Sequence, residues 1–195
     1  MNGIKWQFLY NLIPDWRRVL SVLLLLSCLF FLHPQSAVAG LKDDRYDGNI
    51  FVVYAGNGSL VPPKATLSQA LSEHKPALLF FYVEDSSDCK QYALIVSRVQ
   101  EFYGRVTEII PVNVDALPLK ETYSPTEAGY YYSGSVPQVA VFNRSGQVVL
   151  NKKGQVPYEE IDDKFRGVFD LLPRSESVEL KRRSFNELNS ELTTQ

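Results

Sequence analysis

Cysteine and histidine are almost missing from this chain, with two of each in 195 residues. A structural zinc cluster built from those side chains is therefore excluded. A field of one charge sign is also missing: 20 basic residues face 22 acidic ones, a formal net charge of -2. That balance gives no electrostatic case for nucleic acid as a partner. No apolar run reaches the roughly 20 residues needed to span a bilayer as a helix. The longest, "VLSVLLLLSCLFFL", covers 14 residues from Val19 to Leu32. What remains is an ordinary globular composition, 45% apolar and 22% charged, with room for one domain plus extensions.

The short apolar run lies in a targeting layout. Lys5, Arg17 and Arg18 precede it, and "HPQSAVAG" follows with Ala37 and Ala39 spaced as in an A-x-A cleavage site. Residues 1–39 read as a signal peptide cut after Ala39, with an uncleaved N-terminal membrane anchor as the alternative. "LLSC" around Cys28 is lipobox-like, but the bulky "LFFL" after it argues against lipidation. Cleavage removes Cys28, His33, Trp6 and Trp16, and also Lys5, Arg17, Arg18 and Asp15. The 20 basic and 22 acidic residues then become 17 and 21. An exported chain with only Cys89 left has no partner for an internal disulfide. Its thiol is free, intermolecular or simply a core side chain.

The rest of the chain divides by hydrophobic pattern. Residues 40–48, "LKDDRYDG" and its preceding Gly40, are a loose polar lead-in. "NIFVVYAG" (49–56) is β-rich and expected to be a strand. "TLSQALSEHK" (66–75) fits a short helix with Thr66 as N-cap. "ALLFFYVE" (77–84) is a strand buried on both faces. A helix follows from about Ser87 to Tyr103, with Tyr92, Leu94, Ile95, Val99 and Phe102 on its apolar side. Residues 105–116 form another strand, 117–135 a tyrosine-rich connector, and 138–153 a β-hairpin. A helix over 158–172 places Ile161, Phe165, Val168, Phe169 and Leu172 on one face. Residues 173–195 are a charged tail, with Val178, Phe185, Leu188 and Leu192 on one face. The order predicts an α/β fold with a central mixed sheet flanked by helices.

Across residues 49–172 this order and four local motifs resemble the thioredoxin fold. "FFYVEDSSDCK" aligns without a gap to the family's strand–turn–helix segment ending W-C-G-P-C-K. Cys89 and Lys90 take the second cysteine and the lysine, Ser86 takes the first cysteine, and Asp85 takes the tryptophan. "NVD" (113–115), "SVPQVAVFNRSGQVV" and the glycine of "KKG" match in the correct order, which puts Pro137 at the cis-proline position. The resemblance implies a residue before that proline, here Val136, whose backbone pairs with a bound extended peptide.

The departures matter as much. In a dithiol enzyme the helix N-terminus stabilises the first cysteine as a thiolate, and the second resolves the mixed disulfide. Ser86 cannot attack without a neighbouring base, and Cys89 holds the shielded, resolving position. The family's buried acid and lysine fall at Phe80 and Pro111. The expectation is a non-catalytic binding or assembly factor without cofactor or metal. Its partner would be a protein or extended peptide touching Val136, Pro137, Asp85, Tyr130, Tyr131 and Tyr132. The alternative is a monothiol redox protein that forms mixed disulfides through Cys89. The leader together with "LLFFYVEDSSDC" also resembles cyanobacterial thylakoid-membrane thioredoxin-like proteins that support photosystem I accumulation. That likeness implies a thylakoid location on the membrane or lumen side, the periplasm being the other exported possibility. It also implies photosystem I subunits or other assembly factors as partners.

Overall fold

A computed structural model describes residues 16, 17, 19–28 and 40–177. The chain separates into two units, Met1–Val38 and Ala39–Gln195. In the first, residues 16–17 and 19–28 are helical. No described helix is long and apolar enough to cross a membrane. The expected cleavage point at Ala39 and the amphipathic face of the tail lie outside the described residues.

The second unit is built on four strands: β1 (Ala77–Tyr82), β2 (Glu108–Asn113), β3 (Gln138–Phe142) and β4 (Val148–Lys153). Their order in the sheet is β2–β1–β3–β4. β1 runs parallel to β2 and antiparallel to β3, and β3 pairs antiparallel with β4. Every residue of β1 is buried, as expected of a strand covered on both faces. Its side chains alternate between two cores. Leu78, Phe80 and Tyr82 enter one, and Ala77, Leu79 and Phe81 the other.

Four helices cover these faces: α1 (Ile50–Val53), α2 (Leu67–Ser72), α3 (Ser87–Tyr103) and α4 (Tyr158–Val168). α1, α3 and α4 contribute to the first core, and α2 packs with part of the connector on the second. A parallel β1–α3–β2 unit, a crossover to β3 and a terminal hairpin capped by α4 make this a thioredoxin-like α/β fold. α2 starts on a capping box in which Thr66 and Gln69 bond reciprocally.

Several expectations change in three dimensions. The segment 49–56 is not a strand. Asn49 accepts from the N–H groups of Phe51 and Val52 and starts the helical turn α1. Ile50 and Phe51 are buried side by side, while Val52 and Val53 face solvent. An adjacent buried pair suits a helical turn and not an alternating strand. Phe51 packs edge-on against Phe80 and Tyr82, so tertiary contact overrides the β-propensity of the run. On α3 the core face is Cys89, Tyr92, Ala93, Val96, Val99 and Tyr103, and both Leu94 and Phe102 are exposed. α4 stops at Val168, before a left-handed Asp170, so Leu171 and Leu172 lie outside it and are exposed.

Candidate functional site

The β1–α3 junction holds the chemistry-bearing residues. β1 ends at Tyr82, the chain turns through Glu84 and Asp85, and Ser86 caps α3. The Ser86 Oγ accepts from the Cys89 N–H at 3.3 Å, satisfying one open donor of the first helical turn. Asp44 supplies a second cap from the lead-in: its carboxylate accepts from the Ser87 N–H at 2.8 Å. That bond, with help from the Ser87 hydroxyl, holds the Asp44 carboxyl below its ordinary range. A negative carboxylate therefore sits at the helix end where a dithiol enzyme stabilises its thiolate.

Cys89 is one turn inside the helix and completely buried. Burial pushes its thiol up, and the Val83 backbone and Ser86 hydroxyl oppose that only in part. The exposed Asp85 and Asp88 act on it in the same direction as burial, because a nearby negative charge disfavours a thiolate. Asp88 accepts from Gln155 Nε2 at 2.9 Å, which ties the first turn of α3 to the segment after β4.

Lys90 overturns the reading of 40–48 as a loose lead-in. Its side chain is fully buried, and its ammonium donates to four oxygens of that segment. These are the Gly40 carbonyl at 3.2 Å, the Asp43 carbonyl at 2.9 Å, Asp43 Oδ1 at 3.2 Å and Asp47 Oδ2 at 2.8 Å. Tyr54 donates to Asp47 at 2.5 Å and lays its ring 5.3 Å from the ammonium. Burial alone would lower the Lys90 pKa, but the two carboxylates win and raise it. The bonds from Lys90 and then Tyr54 hold the Asp47 carboxyl down at about 2. The strap is thus fastened to α3 by paired charges.

Val136 and Pro137 lie just before β3, joined by a cis peptide bond. Gly154 donates to the Pro137 carbonyl at 2.7 Å and prolongs the hairpin by one step. Val136 stands two residues before Gln138, the last β3 residue to pair with β1, through Phe81. Among the described residues, neither the N–H nor the C=O of Val136 has a hydrogen-bond partner. Its side chain packs against both cores.

The expected tyrosine set divides. Tyr131 packs edge-on against Phe142 at 4.8 Å and donates to the Pro125 carbonyl at 2.8 Å. Tyr132 packs on Phe81 at 5.4 Å. Only Tyr130 of the three is exposed. The connector is held further by the Tyr123 ring, which lies so close to Gly129 that an added Cβ would sit 2.4 Å from it. Gln138, also overlooked, is buried and clasps Tyr131, Ser133 and Asn151 through its amide. Among the described residues no group of three His, Cys, Asp or Glu side chains is placed to hold a metal ion.

The chain is 57% identical over 157 residues to the thylakoid membrane protein slr1796 of Synechocystis sp., a match spanning 80% of this chain and 78% of that one. It belongs to the slr1796 family. No family model matches the chain. Among solved structures, a mutant thioredoxin from Halobacterium salinarum aligns over 55% of this chain and 86% of its own, at 19% identity and a TM-score of 0.43. A malarial protein aligns over 48% of this chain and 96% of its own, at 14% identity and a TM-score of 0.39. For this member of the slr1796 family, the residues brought together at one end of the sheet are Asp44, Ser86, Asp88, Cys89 and Gln155. The strap around Lys90 leans on the same helix. Nothing in the residue pattern of 40–48 signals that strap except its three aspartates, which read equally well as a solvated stretch.

Proposed function

We propose that the chain is a non-catalytic thioredoxin-like docking module of the thylakoid, exposed on the exported side, that supports accumulation of photosystem I by holding an extended segment of a partner protein. The observation that carries the reading is the burial of Cys89 behind a serine cap. The position that would attack carries a hydroxyl already committed to the helix, and the remaining thiol has no access to a partner sulfur. The same burial counts against the monothiol alternative. What the fold retains is the unpaired backbone of Val136, one donor and one acceptor able to extend a strand. The thylakoid setting is supported by the kinship with slr1796, a thylakoid membrane protein, and the link to photosystem I by the family resemblance.

Complementation of a strain lacking the chain tests this, with photosystem I content of isolated thylakoids as the readout. The Cys89→Ser chain restores photosystem I to the wild-type level. The Val136→Pro chain, which lacks the backbone donor, restores it poorly while retaining wild-type circular dichroism. A requirement for the Cys89 thiol, or unchanged photosystem I in the absence of the chain, overturns the reading.

A further inference from the structure

The strap begins at Gly40, the residue after the expected cleavage point. The Gly40 carbonyl accepts from Lys90 at 3.2 Å and, at 3.4 Å, from the Asp43 N–H. A Cβ added to Gly40 would lie 2.0 Å from Asp43 Oδ2. A backbone nitrogen lies about 2.5 Å from its own Cβ position, so the Gly40 nitrogen is within about 4.5 Å of that carboxylate oxygen. The Gly40 N–H also contributes, after Lys90 and Tyr54, to keeping Asp47 ionised. Asp43 and Asp47 share the single buried ammonium of Lys90. Arg45 reaches Asp43 from the solvent side, and the Asp44 carboxylate is turned away toward Ser87. Arg45 is exposed and bridges Asp43, Lys90 is the cation bonded to Asp47, and the Gly40 N–H, which also bonds that carboxylate, marks where a further positive charge would go.

We propose that this corner is a binding site for the chain's own mature N-terminus: the Gly40 α-ammonium, freed by removal of the leader, docks between Asp43 and Asp47 beside Lys90. Hydrolysis of the Ala39–Gly40 bond consumes one water, leaving a carboxylate on Ala39 and an amine on Gly40 that is mostly protonated at neutral pH. A neutral N–H becomes a cation with three donors, already in place. Glycine suits the position because a side chain would push Asp43 off Lys90. Processing thereby strengthens the strap that caps α3. The proposal rests on cleavage after Ala39 and is independent of docking at Val136.

Mass spectrometry of the protein from its own membranes reads the mature N-terminus. Three purified chains are then compared by thermal unfolding: one starting at Gly40 with a free amine, the same chain acetylated, and one starting at Val38. Residues Ala39–Gln195 form their own compact unit, so all three contain the folded body. The free-amine chain melts higher than the other two by about 2–4 °C. Its α-ammonium titrates above the ordinary N-terminal range by NMR, and Asp43→Asn narrows both differences. Equal melting temperatures, with an amine that titrates as in an unstructured peptide, overturn the site. A native chain that keeps residues before Gly40 overturns the proposal through the processing step instead.

Discussion

Replacing Lys90 by methionine isolates the strap. Methionine keeps the apolar stem that fills the space beside Tyr54 and removes only the ammonium. Breaking a fully buried ion pair by deleting one partner costs about 3–5 kcal/mol. Here the cost is smaller, because water reaches the partners: the Asp43 side chain is 37% exposed and the Asp47 side chain 16%. Screening of that kind takes exposed pairs down to about 1 kcal/mol or less. An intermediate loss of about 2 kcal/mol follows, equivalent to a melting temperature lower by about 4–8 °C. The pH dependence supplies the sharper test. Asp47 is held at about 2 in the folded state, against 3.8 ordinarily. A depressed carboxyl stabilises the fold above its unfolded pKa, and that stability is lost as pH falls through the folded value. The wild-type chain therefore loses the strap's contribution between about pH 4 and 2, and Lys90→Met has little left to lose there. Urea titrations of both chains across that range measure the difference. Curves that stay parallel from pH 6 to 2, or a variant as stable as wild type at pH 7, refute the reasoning.

Two further outcomes follow from the junction. Cys89 in the folded chain resists alkylation at neutral pH and reacts at the rate of a free thiol once denatured; rapid labelling of the native protein would place its sulfur at the surface, against the burial described above. Ser86→Cys restores the C-x-x-C spacing but gives a poor reductant. With Asp44 on the first helical N–H and Asp85 and Asp88 nearby, the new thiol stays near its unperturbed pKa and carries roughly tenfold less thiolate at neutral pH than a helix-activated cysteine. Insulin reduction at the rate of an ordinary dithiol thioredoxin would show that the acidic surroundings do not matter.

The sheet was legible in advance because its strands are short apolar runs bounded by turn residues, and a six-residue run such as "ALLFFY" has few other ways to bury itself. The positions of Ser86 and Cys89 were legible from the alignment of "FFYVEDSSDCK", which sets them three residues apart at the start of the helix after β1, whereas the capping role of Ser86 came from the structure. The helical turn at Ile50–Val53 was not. Its β-branched residues favour a strand locally, and only Phe80 and Tyr82, about 30 residues away, draw Phe51 into the core as a helix.

Sequence alone therefore settled the order of strands and helices from residue 66 onward, a serine and a cysteine three positions apart at the start of a helix, and the place of Val136 before a proline, because each depends on neighbours along the chain. Tertiary structure decided which tyrosines are covered, that Cys89 is sealed, and that a lysine can be fully buried. Lys90 stays charged inside the domain only because Asp43 and Asp47, more than 40 residues earlier, fold back to meet it. A charge leaves water only when its partners arrive with it, and no local pattern records who those partners are.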